Sequence, residues 1–199
     1  MVYIVYMARL STPEKILSAA RKLLEHKGSE AVTMRRVAAA VGVTPMALYR
    51  HFANRDALLN RLADLGFEAL AGRVAALNLP SDPEQQLLLI LNLFLDFALE
   101  KPRLFELMFL DRRSGARQFP GDFRAGRSPT ARFAAAAFEA GMSEGIFARD
   151  DVWEITFETG ALLQGLVMLY QGGRVAVTEE EFKALCHRAI LRYLNGIRK

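Results

Sequence analysis

The sequence predicts an all-α protein, and three observations carry that prediction. Prolines follow good helix N-cap residues at Ser11-Thr12-Pro13, Thr44-Pro45, Ser81-Asp82-Pro83 and Ser128-Pro129. Proline suits the first helical turn because no amide proton there needs a partner. Apolar residues recur at helical spacing, with no proline inside any such stretch. Apart from the apolar start Met1 to Met7, no run alternates convincingly at period two.

About nine helices follow from these signals. The first runs from about Pro13 to Lys27, with Ile16, Ala20, Leu23 and Leu24 on one face, a capping-box pair Ser11 and Glu14, and Gly28 as its stop. The second begins after Thr33 and ends near Val41-Gly42, and a short third begins at Thr44-Pro45. The fourth spans about Arg55 to Leu77, the fifth Pro83 to Leu99 and the sixth Pro102 to Asp111. A loop rich in Gly, Arg and Pro covers about 112–127. The seventh helix runs from Pro129 to about Ser143, and the eighth from Asp151 to Gln171, closed by Gly172-Gly173. The ninth starts at the capping box Thr178…Glu181 and continues to the C-terminus. No internal repeat is present. The expected division is a first domain over 1–62, with 1–10 as an extension, and a second over 63–199.

Charge separates these two parts. Through Leu62 there are ten basic residues against four acids, a net of +6; the remainder carries −2. A basic segment joined to a mildly acidic one implies a polyanion partner for the first part. The lone cysteine, Cys186, excludes an intrachain disulfide and points to the reducing cytosol. His26, His51 and His187 are far apart, so neither a metal site nor a cofactor is expected. No Ser/His/Asp arrangement, paired carboxylate site or phosphate-binding glycine loop suggests an enzyme. MVYIVYM at the start lacks a positive leading region and is too short for a signal core or a membrane span. It reads as a flexible extension, with Met7 as an alternative first residue. Leu87 to Ala98 is also too short to span a bilayer, and Asn92 and Asp96 interrupt it.

The stretch Thr33 to Phe52, TMRRVAAAVGVTPMALYRHF, carries the function. A capped helix leads through Val41-Gly42-Val43 into a second capped helix. Gly42 suits a sharp inter-helix turn of positive φ. Val37, Val41, Val43 and Leu48 are the candidate core of the pair. Thr44, Pro45, Met46, Ala47, Tyr49 and Arg50 are left at the start and outer face of the second helix, which fits the DNA major groove. Thr33 offers a hydroxyl and free amides to a phosphate. Arg35 and Arg36 read as DNA contacts, with Arg35 and Arg50 supplying polar base readout. His51 serves either a phosphate or the fold.

The pattern Thr33-x3-Val37-Ala38-x3-Gly42-Val43-x4-Leu48-Tyr49-x-His51-Phe52-x2-Arg55-x2-Leu58-Leu59 resembles the signature of TetR-family regulators. The likeness extends back through Ile16, Ala19-Ala20, Leu23 and Gly28. Arg55 stands where that family usually has lysine, and a phosphate contact is expected of it. The resemblance implies a homodimer bound to operator DNA. It also implies C-terminal helices that build a ligand pocket and a dimer interface, and a repressor released by a small molecule. Lys101 to Phe109 and Gln164-Gly165-Leu166 are similar to one C-terminal subtype, in which histidine would be expected at Gln164.

The apolar stock of the second part makes the expected effector apolar. Its candidate pocket residues are Phe67, Asn92, Phe94, Asp96, Phe105, Met108, Phe109, Phe133, Phe138, Met142, Trp153 and Phe157. Asn92 and Asp96, at i and i+4, either orient that ligand or form a solvated or hydrogen-bonded pair. The candidate dimer interface comprises Gly160, Ala161, Gln164, Gly165 and Met168 on the eighth helix, with Phe182, Leu185, Ala189, Ile190 and Tyr193 on the ninth. A regulator acting by DNA affinity alone, without an effector, is the competing reading.

Overall fold

The computed structural model describes residues 11–199; the extension expected over 1–10 lies outside the described residues. Ten α-helices occur among them: α1 Thr12–Lys27, α2 Met34–Val41, α3 Pro45–Tyr49, α4 Arg55–Ala75, α5 Pro83–Glu100, α6 Pro102–Phe109, α7 Gly121–Arg124, α8 Ala131–Ser143, α9 Val152–Gln171 and α10 Glu179–Gly196. A 3-10 turn, Ser29–Ala31, separates α1 from α2. No helix among the described residues is long and apolar enough to cross a membrane. The chain forms two compact units. The first runs to Gly66 and takes in Lys101–Ala116; the second comprises Phe67–Glu100 and Arg117–Lys199.

In the first unit, the capping box at Ser11 starts α1. The Glu14 carboxylate accepts from both the Ser11 hydroxyl and the Ser11 amide at 2.7 Å, which holds its pKa below the ordinary range. Ile16, Ala20 and Leu24 turn inward from α1 and meet Val37, Leu48 and Leu58 in a core from which water is excluded. Helix α6 packs against α1 and lies in this unit, whereas the sequence division at residue 62 assigns it to the second part. Two contacts account for its place. A Cβ on Gly66 would fall 2.4 Å from Met108 Sδ, so glycine there leaves room for the Met108 side chain of α6 against α4. Arg113 then closes the end of α6, donating from Nε to the Leu107 carbonyl (2.8 Å), from Nη2 to that of Met108 (3.1 Å) and from Nη1 to Asn60 Oδ1 (3.0 Å).

In the second unit, α5 packs against α8, α9 and α10. Leu87, Leu95, Phe138, Phe147, Leu163, Val167, Phe182 and Ile190 form its dry interior. Phe138 and Phe147 meet with ring centroids 5.8 Å apart, and Phe182 stacks on Tyr170 at 4.1 Å. Buried Thr156 and Thr159 donate their hydroxyls to the carbonyls of Val152 and Ile155, so neither costs an unmet hydrogen bond. The segment expected as a loop over 112–127 contains the short α7. It is pinned by rings of Phe119 and Phe123 against Phe157 and by Arg124 on Asp151.

Candidate nucleic-acid interface

Two side-chain caps and one left-handed residue build the site. Thr33 Oγ1 accepts the Arg36 amide (3.3 Å), starting α2, and Thr44 Oγ1 accepts the Ala47 amide (3.2 Å), starting α3. Between them Gly42 adopts φ 76° and ψ 31°, and the Val43 amide bonds back to the Ala38 carbonyl at 3.0 Å. A β-carbon at that φ would be strained, so the sharp turn depends on glycine. Leu48 faces inward, fully buried, and ties α3 to the core.

This arrangement turns the candidate DNA contacts outward. Arg35, Arg36, Thr44, Pro45, Met46, Tyr49, Arg50 and His51 are all exposed, while Thr33 and Ala47 are half-buried. Met46 is 71% exposed and Tyr49 47%. Large apolar side chains left in water at the tip of a short helix suit contact with base methyl groups and sugar edges. Among the described residues, none of Arg35, Arg36 and Arg50 forms an ion pair within the protein. Their charge is available to a polyanion. Thr33 uses its oxygen as an acceptor and retains its hydroxyl proton for donation. The first amides of α2 have no intrahelical partner, which favours an anion there. Arg55 also hydrogen-bonds within the protein. Its Nε donates to the Val32 carbonyl (2.9 Å) and its Nη2 to that of Ser29 (2.8 Å).

Residues 16–62 match the family model of bacterial regulatory proteins, TetR family, and residues 87–193 match that of the tetracyclin repressor-like C-terminal domain. The chain belongs to the TetR family. It is a DNA-binding transcription regulator of the helix-turn-helix type. A nucleoid occlusion factor SlmA from Edwardsiella ictaluri is 37% identical over 97 residues, 48% of this chain and 49% of that protein. The SlmA protein of Photobacterium profundum is 34% identical over 97 residues, 48% and 50% of the two chains. The chain thus spans about half the length of the curated relatives it matches. Among solved structures, a protein of unknown function from Rhodococcus sp. RHA1 is similar with a TM-score of 0.79 and 22% identity over 96% of this chain and 97% of that one. The TetR family transcriptional regulator PfmR from Thermus thermophilus gives 0.64 and 23% over 89% and 97%. Both share the fold.

The residues expected to line a pocket in this TetR-family chain fall in different surroundings. Phe105, Met108 and Phe109 lie on α6 in the first unit, with Phe105 and Met108 buried. In the second unit Phe138 is fully buried against Phe147, and Phe67 is buried with the Arg117 guanidinium 4.5 Å from its ring centre. Phe94, Phe133, Met142 and Trp153 are half-buried. Phe157 is 42% exposed and stacks on Phe119 at 4.4 Å. Asp96 is paired with Lys183 at 2.9 Å. Asn92 borders a cleft with Leu95, Leu163, Cys186 and His187 that leaves no space for a water molecule. Burial there pushes the Cys186 thiol up to about 11.

The candidate interface residues divide by face. Phe182 and Ile190 are buried within the unit. Ala161 and Met168 are exposed, and Gly160, Gln164, Gly165, Leu185, Ala189 and Tyr193 are half-buried. The Tyr193 hydroxyl donates to Glu158 at 2.7 Å. Two supporting residues escaped the sequence reading: Asn54, which caps α4 through the Ala57 amide (2.8 Å), and Asn60, which receives Arg113. Asn54 had a legible signal, an Asx residue directly before a helix.

Proposed function

We propose that the chain is a repressor that binds operator DNA as a homodimer in the cytosol and is released by an apolar small molecule. The observation that carries the reading is the exposed cationic face of Arg35, Arg36 and Arg50, without an ion pair among the described residues, around two capped helices. Dimerisation is supported by an outward stripe on α9, Phe157, Ala161, Gln164 and Met168, spaced at i, i+4, i+7 and i+11. A second copy would bury this stripe and bring two recognition helices to half-sites about 34–36 Å apart. An apolar effector is supported by the aromatic content of the second unit. It must favour the state that cannot bind DNA, since a ligand with equal affinity for both states releases nothing. Helix α4, which begins in one unit and ends in the other, is the covalent route for that signal.

The test is binding to the duplex upstream of the protein's own reading frame, titrated with salt. The logarithm of the affinity should fall linearly with the logarithm of salt concentration. Absence of salt-dependent duplex binding would remove the reading. The SlmA relatives, nucleoid occlusion factors by name, support a second reading, in which this chain acts in nucleoid occlusion rather than at one operator. A genome-wide binding map with many sites remote from promoters would favour it.

A further inference from the structure

We infer that Arg55 is a positioning residue that fixes the start of α2, and through it the recognition helix α3, by holding two backbone carbonyls. The inference rests on the reading that the first unit binds duplex DNA. Arg55 opens α4 and reaches back across the chain to the 3-10 turn and to Val32, the residue before the Thr33 cap. Val32 is fully buried, so its carbonyl must find a partner inside the protein. Val32 and Thr33 have φ, ψ of −80°, 86° and −112°, 148°, an extended link between two helical segments with no sheet ladder to hold it. Locally the Val32 amide donates to Ser29 O (3.0 Å) and the Thr33 amide to Ala31 O (3.1 Å), and the guanidinium adds the tie from this link to the start of α4. Nε and Nη2 lie side by side in one plane and meet Val32 O and Ser29 O at 2.9 and 2.8 Å. The third contact is the exposed Glu30 carboxylate at 3.6 Å.

The consequence is geometric. Helix α2 passes to α3 through the left-handed Gly42 turn, so the angle at which α2 starts sets where α3 presents Met46, Tyr49 and Arg50. A lysine at position 55 keeps the charge but has one nitrogen on a flexible stem, and cannot bridge both carbonyls in the same plane. A phosphate contact would tolerate lysine; a two-carbonyl clamp does not.

The experiment compares wild type, Arg55→Lys and Arg55→Ala on a duplex enriched from a random pool by the wild-type chain. Affinity is read across a salt series, and amide hydrogen exchange over 29–37 is read without DNA. The clamp requires both variants to lose roughly tenfold or more in affinity, in line with lost hydrogen bonds to a charged group. They should agree within about threefold, the salt slope should stay at the wild-type value, and exchange should speed up at the start of α2 in both. A slope reduced by about 0.9 in Arg55→Ala, with Arg55→Lys near wild type, would make Arg55 a phosphate contact and overturn the inference. Unchanged exchange in both variants would also overturn it. Should the wild-type chain bind no duplex, the DNA reading fails and the exchange measurement alone decides the clamp. Arg55→Lys keeps the stem and charge and serves if Arg55→Ala does not fold.

Discussion

Arg35, Arg36 and Arg50 of the first unit meet no carboxylate among the described residues, whereas Arg73, Arg124, Arg127 and Arg198 of the second pair with Glu100, Asp151, Asp122 and Glu84. An arginine already held by an acid has most of its field cancelled within a few ångströms and attracts a polyanion weakly. Arg21, Arg55 and Arg103 of the first unit also meet Glu25, Glu30 and Glu106, so the contrast is between the helix-turn-helix face and the paired arginines of either unit. Apolar side chains are exposed in both units, Phe157 and Met168 in the second among them, and the contrast is local to the recognition helix. Met46 and Tyr49 stand in water on α3, while Phe138 and Phe182 have none of their surface exposed.

The largest effects that sharpen this contrast lie in the two cores. Phe138→Ala should cost about 3–5 kcal/mol and Leu48→Ala about 2–5 kcal/mol. Phe138→Ala should lower the urea midpoint while the folded protein keeps its base preference. Leu48→Ala should abolish specific binding, because Leu48 is what anchors α3. Equal loss of base preference in both variants would erase the distinction between the units.

A smaller effect breaks the comparison at the surface. Arg35→Ala and Arg50→Ala should each weaken binding to the preferred duplex by about 1–3 kcal/mol and relax preference at one or two base pairs. Thermal stability should stay at the wild-type value, since neither side chain has an ion-pair partner among the described residues to lose. Arg73→Ala, which breaks the pair with Glu100 at 2.9 Å, should do the opposite, with little effect on DNA affinity. An unchanged sequence logo for Arg35→Ala and Arg50→Ala would reduce both to phosphate contacts.

The helix-turn-helix geometry was legible because its signals are local. Thr33, Gly42 and Thr44-Pro45 act within four residues of themselves, and the caps and left-handed turn follow from their chemistry. The starts of α1, α5, α9 and α10 were legible for the same reason. Helix α7 was not, since four residues without a side-chain cap leave no periodic trace. The partners of Arg55 lie 23 and 26 residues away, and no local rule selects two carbonyls over a phosphate. On α10 the inward row is Phe182, Cys186, Ile190 and Leu194, at i, i+4, i+8 and i+12. Leu185 and Ala189 are equally apolar one position away, so composition alone could not tell the core row from the outer one.

The smallest predicted effect tests whether a paired charge in the second unit contributes through charge or through shape. Asp151 caps α9. Its Oδ1 accepts the amides of Trp153 (2.9 Å) and Glu154 (3.2 Å), and its Oδ2 meets Arg124 Nη2 at 2.6 Å. The Glu154 amide, with the Trp153 amide and Arg124 behind it, holds the carboxyl below the ordinary carboxylate range. A depressed folded value means the stabilisation is fully present above the unfolded pKa, about 3.9, and is lost as pH falls through the lower folded value. Asp151→Asn keeps an oxygen to cap the helix but removes the charge. Thermal melts should show the variant below wild type at pH 7, with the gap closing as pH is taken below about 4 and the wild-type carboxyl becomes neutral. Added salt should narrow the gap at pH 7, because both partners are solvent-accessible. A gap that persists unchanged at low pH would assign the contribution to capping geometry, and the acid facing Arg124 would then hold its helix by shape alone.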